Sequence, residues 1–574
     1  MNYSADIKPL ARNYLSESFS PRTWEELEPL FKELLNRKIG SVAELEQWLK
    51  DQSEVEAVVN EDACWRQIRM TCDTENKTLE EAFNYFCLEI QPKIQPFADA
   101  LNKKLLESPF LKDLDQKKYL TYLRNIRKNT ELYREENIPL QAEASVLQQQ
   151  FGQISGAMMV EVNGKEYTLQ QAAKFLENPD RELREKVYHK IQQRRLQDKE
   201  KLDTLFDQLL SLRNRVAKNA GFEDYTAYRF KELGRFDYSQ TDCKQFQESV
   251  KEHVLPLVSE IYARKKKDLG VEQLRPWDLD AERPGVMPLR PFEKADELLD
   301  KSVKVFNKLN PFFGACLSKM RDMKHLDLDS RKGKAPGGYN CPLAESGAPF
   351  IFMNAAGQMH DVTTMLHEGG HAVHSFLAHP LELSGFKEYP MEIAEVASMA
   401  MELFTMDKWE EFFPKKDELK KAHRHQLERV ITIFPWIATI DKFQHWVYGN
   451  PGHSVSDRTK AWQAILGEFR DDVVDYSGLE IYRSNSWQRQ LHLFEVPFYY
   501  IEYGIAQLGA IGMWKQYRDD PKAALDKYCY ALSLGGTRTL PELYQAAGLE
   551  FDFSSAKIKS LMDFVKTELD AVSY

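Results

Sequence analysis

Five residues, His367-Glu368-Gly369-Gly370-His371, constrain this chain more than any others. An H-E-x-x-H pattern has chemical meaning on a helix, where positions i and i+4 lie one turn apart on one face and both imidazoles can reach a single cation. Glu368 then projects beside them, near a metal-bound water that it could deprotonate. The motif sits inside the stretch from Thr363 to Leu377.

Two imidazoles do not complete a catalytic zinc site, which usually takes three protein ligands and a water. The spacing that supplies a third histidine would need Gly at 374 and His at 377, and this chain has His374 and Leu377. A carboxylate from a following helix is the alternative. After a loop from His379 to Tyr389, Pro390 suits the first position of a helix, and Glu392, Glu395 and Glu402 fall near one face of an otherwise apolar segment. Carboxylates on an apolar face are costly unless something positive meets them; a zinc ion with its histidines would do so.

The rest of the chain narrows the setting. Its 574 residues can hold several domains, and 43% apolar with 12% aromatic content excludes a disordered chain. A net charge of −11 spread along the sequence argues against nucleic acid as a partner. The seven cysteines, Cys64, Cys72, Cys87, Cys243, Cys316, Cys341 and Cys529, are odd in number and scattered without C-x-x-C spacing. Neither a disulfide framework nor a cysteine-based zinc site is expected from them. With no basic-then-apolar leader and no run near 18 apolar residues, the expectation is a cytoplasmic protein with no membrane partner.

Coarse structure follows from local signals. Thr23-x-x-Glu26, Ser41-x-x-Glu44 and Thr78-x-x-Glu81 are capping-box patterns that open helices. Met159 to Tyr167 reads as a hairpin turning at Asn163-Gly164, with Thr168-x-x-Gln171 restarting a helix. From Pro179 to about Ala220 the sequence is helical and charged, which reads as a solvated surface. Proline and glycine rise between about 270 and 350, predicting loops and short strands. Ala348 to Asn354 then reads as a strand; its proline suits an edge, where a peptide could pair with it. His423 and His425 are expected to face solvent, His445 to be packed, and His360 to cap the motif helix.

The run Asp361-Val362-x-x-x-Leu366-His367-Glu368-x-Gly370-His371-Ala372-x-His374, followed by Glu395-x-x-Ser398-x-x-x-Glu402, resembles the thimet oligopeptidase/oligoendopeptidase F family of zinc metallopeptidases. Position 369 departs from it, with glycine where thimet-type members carry a bulkier residue. The hairpin near Asn163 is more similar to the oligoendopeptidase F branch. Gly347-Ala348-Pro349-Phe350-Ile351 looks like the family's substrate-aligning strand, and Leu532-x-x-Gly535-Gly536 with Leu540-Pro541-Glu542-Leu543 and Ala547-Gly548-Leu549 looks like its C-terminal segment.

The resemblance implies one Zn2+ per chain held by His367, His371 and Glu395, with Glu392, Glu402 and His374 orienting the ligands. It implies Glu368 as general base and acid, and an opposite wall made from His492, Tyr499, Tyr500 and Tyr503, with Tyr503 favoured as the oxyanion donor. Gly347, Ala348 and Phe350 are the implied substrate contacts. The implied fold is mainly α, a two-lobed helical shell around a deep substrate channel with a small β element beside the zinc helix. We divide it into an N-terminal helical lobe with one hairpin (1–180) and a catalytic region (181–574). The implied activity is internal cleavage of oligopeptides by a monomer or small homo-oligomer. A carboxypeptidase or dipeptidyl carboxypeptidase of the same chemistry, or a non-catalytic peptide-binding protein, are the competing readings.

Overall fold

Capping chemistry sets where the N-terminal helices of the computed structural model, which describes residues 3–572, begin. Thr23 caps Trp24–Asn36, with the Glu26 carboxylate accepting from the Arg22 and Thr23 amides. Ser41 caps Val42–Cys72, its hydroxyl accepting from the Glu44 amide at 3.2 Å. Thr78 does not cap its helix. Asn76 does, two residues earlier, accepting from the Thr78 and Leu79 amides, since asparagine is at least as good an N-cap as threonine. In the hairpin, β1 (Met159–Val162) pairs antiparallel with β2 (Lys165–Thr168). Asn163 and Gly164 both take positive φ, 52° and 77°, as this two-residue turn requires.

The chain is mainly helical, 68% helix and 4% strand. Two large apolar cores and a small third one, formed by Ile68, Ala335, Leu343, Phe350 and Phe352, organise it. One gathers the helices between Trp24 and Ile126, with Leu383 and Phe386 reaching in from the loop after the motif helix. The larger core begins at Leu132 among the helices, takes in the hairpin valines Val160 and Val162, and runs through the helices Met359–Ala378, Met391–Phe404 and Tyr500–Asp519. Between 270 and 350 the structure holds more than loops and strands. The helices Ala295–Leu309 and Pro311–Asp322 lie there, the second opened by Pro311 and capped by Asn310. The charged run after Pro179 is two helices, Arg181–Gln197 and Lys199–Asn219, and the second buries Leu205, Phe206, Leu209 and Arg213 on its inner face.

Beside the motif lies a three-stranded sheet of β3 (Leu326–Asp329), β4 (Tyr339–Cys341) and β5 (Phe350–Ala355). Its order is β3-β5-β4, with β5 parallel to β3 and antiparallel to β4. The expected edge strand is therefore the central one. Pro349 is compatible with that position because it precedes the first paired residue. The exposed side of the sheet near the motif belongs to β4 instead.

Glycines decide how closely the site helices approach. The motif lies on the helix Met359–Ala378, and the following carboxylates on Met391–Phe404. A Cβ on Gly370 would stand 2.6 Å from both Ala397 O and Ser398 Cα, so only glycine lets these two helices touch backbone to backbone. Gly369 is filled from the other side by Phe306, whose ring would lie 2.6 Å from an added Cβ; this explains its departure from a bulky residue. Gly509, on the helix Tyr500–Asp519, similarly admits Val396 of the carboxylate helix. Gly370→Ala is expected to lower the unfolding free energy by about 1–3 kcal/mol through overpacking. Gly467→Ala, where nothing lies within 4 Å, is expected to be neutral or stabilising by up to about 1 kcal/mol. Denaturant unfolding of both variants checks the contrast.

Candidate active site

The close approach at Gly370 brings Glu395 up to the motif histidines. Glu395 Oε2 lies 3.2 Å from His367 Nε2 and 3.5 Å from His371 Nε2, and these three ligand atoms fall within 4.8 Å of one another. Two nitrogens and an oxygen converging this tightly form a donor set that zinc accepts. Burial disfavours charge on Glu395, yet the His371 and His367 imidazoles outweigh it and hold the carboxyl well below its usual range. Burial likewise works against a protonated His367, but Glu395 and Glu402 overcome it. The carboxylates thus demand positive charge where the rings converge, and a divalent cation fits that demand.

Around this centre His367 and Glu395 are held from behind. Glu402 Oε1 accepts from His367 Nδ1 at 2.8 Å, which leaves Nε2 free to ligate. Gln426 donates to Glu402 Oε2 at 2.8 Å; Arg429 lies 3.4 Å from that oxygen and donates to Thr363 at 2.7 Å. Both come from the long helix Lys416–Gly449. Ser398 donates to Glu395 Oε2 at 3.0 Å, and Tyr499 to Oε1 at 2.5 Å.

Two residues expected to orient the histidines do otherwise. Glu392 lies one helical turn before Glu395 and accepts from Tyr238 at 2.6 Å. His374 stacks on Tyr389, ring centroids 3.6 Å apart, and neither ring nitrogen has a hydrogen-bond partner. His423 and His425 are half-buried rather than solvent-facing, the first bonded to Met406 O and the second 3.4 Å from Glu282. The motif helix is capped not by His360 but by the Asp361 carboxylate, which accepts from the Ala356 and Gln358 amides.

Glu368 is buried beside the ligands, and its Oε2 has no partner within the protein. Burial raises its pKa, partly countered by His367 and His371. A carboxyl with one unclaimed oxygen and a raised pKa is suited to taking up and returning a proton. The β4 edge passes directly over it. Asn340 donates to Glu368 O at 3.2 Å, and an added Cβ on Gly338 would lie 3.6 Å from Glu368 Oε1.

Gly347, Ala348 and Phe350 are not at this edge. A Cβ on Gly347 would strike the His379 ring at 2.5 Å, Ala348 O accepts from His325 Nδ1, and Phe350 is buried against Trp65. Phe350 is withheld from an extended peptide because it already pairs with Cys341 of β4, and the Gly347 amide is spent on Leu343 O.

Across from the motif stands the wall of His492, Tyr499, Tyr500 and Tyr503. Trp436 Nε1 can only donate, and it does so to Gln490 Oε1 at 2.9 Å. That turns the Gln490 amide nitrogen toward His492 Nδ1, 2.7 Å away, so Nδ1 must accept. Burial keeps this imidazole neutral, its pKa lowered to about 4. Nε2 therefore carries the proton and donates to the Tyr503 oxygen at 3.0 Å, leaving the Tyr503 hydroxyl proton free. Tyr499 has already committed its proton to Glu395.

The tyrosine helix begins at Tyr500. Phe498 just before it has φ 65°, a strained left-handed conformation for a residue with a side chain, worth about 1–3 kcal/mol. Side chains that sequence reading missed hold this turn. Arg213 donates to Leu493 O and Phe494 O, Arg229 to Pro497 O, and Arg235 to Phe498 O. Gln444 accepts from the Phe498 amide at 2.5 Å. The one signal for them was Arg213 among the apolar residues Leu209, Leu210, Leu212 and Val216.

The model for "Peptidase family M3" matches residues 174–563, and that for "Peptidase M3 N-terminal domain" matches residues 17–133. The chain is thus a peptidase by class, and it belongs to peptidase family M3. It is 22% identical to an oligoendopeptidase F homolog of Borreliella burgdorferi, over 96% of this chain and 92% of that one. It is 23% identical to the oligopeptidase PepF of Bacillus subtilis, over 71% and 60% respectively. Among solved structures, PZ peptidase A with an inhibitor superposes with a TM-score of 0.92 at 27% identity, covering 97% of this chain and 99% of that one. The resemblance to the oligoendopeptidase F branch is borne out, as is the mainly helical fold. Among the described residues no helix is long and apolar enough to cross a membrane.

Replacing Glu402 by alanine removes the acceptor that fixes His367 Nδ1. Glu402→Ala is expected to weaken divalent-cation affinity by about 10–100-fold, while Glu392→Gln leaves it near wild type. Competition titration against a chromogenic chelator measures both.

Proposed function

We propose that this peptidase is a zinc-dependent endopeptidase of short oligopeptides, with His367, His371 and Glu395 as the zinc ligands. One observation carries the reading: three ligand atoms of suitable type converge within 4.8 Å directly beside a buried Glu368 with an unclaimed oxygen. When bound, zinc would supply Lewis acidity that acidifies a water and polarises a carbonyl oxygen. The chain's own residues do the rest.

Glu368 takes the proton from the attacking water and returns it to the departing amine, a role that its raised pKa and free Oε2 suit. Tyr503, its hydroxyl proton left free by His492, donates to the oxyanion that develops on the scissile carbonyl. Tyr499 acts through Glu395, fixing the ligand's position. Tyr500 sits edge-on to both His492 and Tyr503 and packs the wall. The substrate backbone lies along β4, next to Glu368, where no further strand pairs among the described residues. Relatives named oligoendopeptidase F support internal cleavage over removal of terminal residues.

The experiment is hydrolysis of a fluorogenic peptide blocked at both ends. The wild type is expected to cut it. Glu368→Gln is expected to lose at least about 10²-fold in kcat with its zinc content unchanged; full activity in that variant would contradict the reading. Cleavage of free but not blocked peptides would favour the carboxypeptidase alternative. Tyr503→Phe is expected to lower kcat by about 10²–10³-fold with little change in KM, whereas Tyr500→Phe stays within about tenfold. Steady-state kinetics on one peptide separates the two tyrosines.

A further inference from the structure

Behind the strained turn that delivers Tyr499, a second set of ligating side chains lies inside the protein. Cys243, on the helix Gln240–His253, faces Asp441 and His445, one turn apart on the long helix Lys416–Gly449. A sulfur, a carboxylate oxygen and an imidazole nitrogen from these residues all lie within 4.8 Å of one another. Cys243 and Asp441 are fully buried, and the His445 ring is walled in by Phe230 and Phe498.

Hydrogen bonding leaves this group unfinished. Gln247 donates to Asp441 Oδ2 at 2.7 Å, but Asp441 Oδ1 and His445 Nε2 have no partner. His445 Nε2 stands 3.6 Å from Asp441 Oδ2, too far for a hydrogen bond. Arg235, the buried guanidinium on this side, bonds Phe498 O and Glu502 through Nη2 alone; its Nε and Nη1 have no partner, and it makes no bond to Asp441. An unpaired carboxylate oxygen and ring nitrogen, enclosed together, are costly unless a third species meets both.

We propose that Cys243, Asp441 and His445 hold a second, structural divalent cation of the zinc type, separate from the ion at His367, His371 and Glu395. Sulfur, imidazole nitrogen and carboxylate oxygen are donors that zinc takes together, and softer or harder cations match them less well. A thiolate and a carboxylate carry the two negative charges that a dication neutralises; Cys243 ligates as thiolate, and its proton leaves to solvent. The site is coupled to the active-site turn through Gln444 and through the His445 ring, which packs on Phe498. Gln444 stands between Asp441 and His445 in sequence, and its Oε1 accepts from the Phe498 amide. An ion here pins the helical turn that holds Phe498 in its left-handed conformation, and with it Tyr499 against Glu395. Cysteine spacing gave no hint of this site, because its ligands come from two helices far apart in sequence.

The test is metal content and cobalt spectroscopy of the intact protein. Elemental analysis is expected to find two ions per chain. Brief dialysis against a chelator should remove one, the other leaving only on unfolding. Cys243→Ser should lose the retained ion and keep the exchangeable one; Glu395→Gln should do the reverse. Protein expressed in cobalt-supplemented medium should show a thiolate-to-cobalt charge-transfer band in the near ultraviolet, present in Glu395→Gln and absent in Cys243→Ser. If Cys243→Ser does not fold, Asp441→Asn, which keeps the side-chain shape, is expected to lose the same ion. A single ion per chain in the wild type, or two ions without the charge-transfer band, would overturn the proposal.

Discussion

A buried carboxylate held between two imidazoles is the interaction on which the rest of this site depends. Glu395 is costly inside the protein, and His367 and His371 make it tolerable only because the motif and carboxylate helices touch backbone to backbone at Gly370. That contact requires a glycine, so a residue with no side chain sets the distance between the chemical groups. Phe306 packs closely on the motif helix at the neighbouring Gly369. The geometry of this candidate metal site is therefore a property of helix packing as much as of side-chain identity.

The facing wall is built on a different principle. Its helix starts late, after a strained Phe498, and the strain is held by arginines that bind main-chain carbonyls from Leu493 to Phe498. The result is directional chemistry. Trp436 fixes Gln490, Gln490 fixes the His492 tautomer, and His492 leaves the Tyr503 proton available. Each link follows from which atom can only donate or must accept, and together they separate Tyr503 from Tyr499.

Much of this was legible in the sequence, for reasons that also explain what was not. H-E-x-x-H is a local pattern on a single helix, so His367 and His371 stand out from it alone, whereas Glu395 was separated from Glu392 and Glu402 only by the family resemblance of its E-x-x-S context. Asn163-Gly164 fixed a hairpin because few turns accept two positive φ values. The errors lie where the answer depends on which element packs against which. Pro349 suggested an edge strand, but β3 and β4 enclose β5, a topological fact that no property of residues 347 to 350 records. Glu392 shares a helix face with Glu395, and one turn of displacement sends it to Tyr238 instead. Arg213 read as part of a charged surface, although it is buried and supports the active-site turn.

The central claim is that hydrolysis requires one ion at His367, His371 and Glu395. Zinc titration of chelator-treated protein, followed by cleavage of a blocked oligopeptide, tests it most directly. The account predicts no activity before addition and a linear return that ends at one equivalent of zinc per chain. Undiminished cleavage by protein shown to carry no exchangeable ion would contradict it.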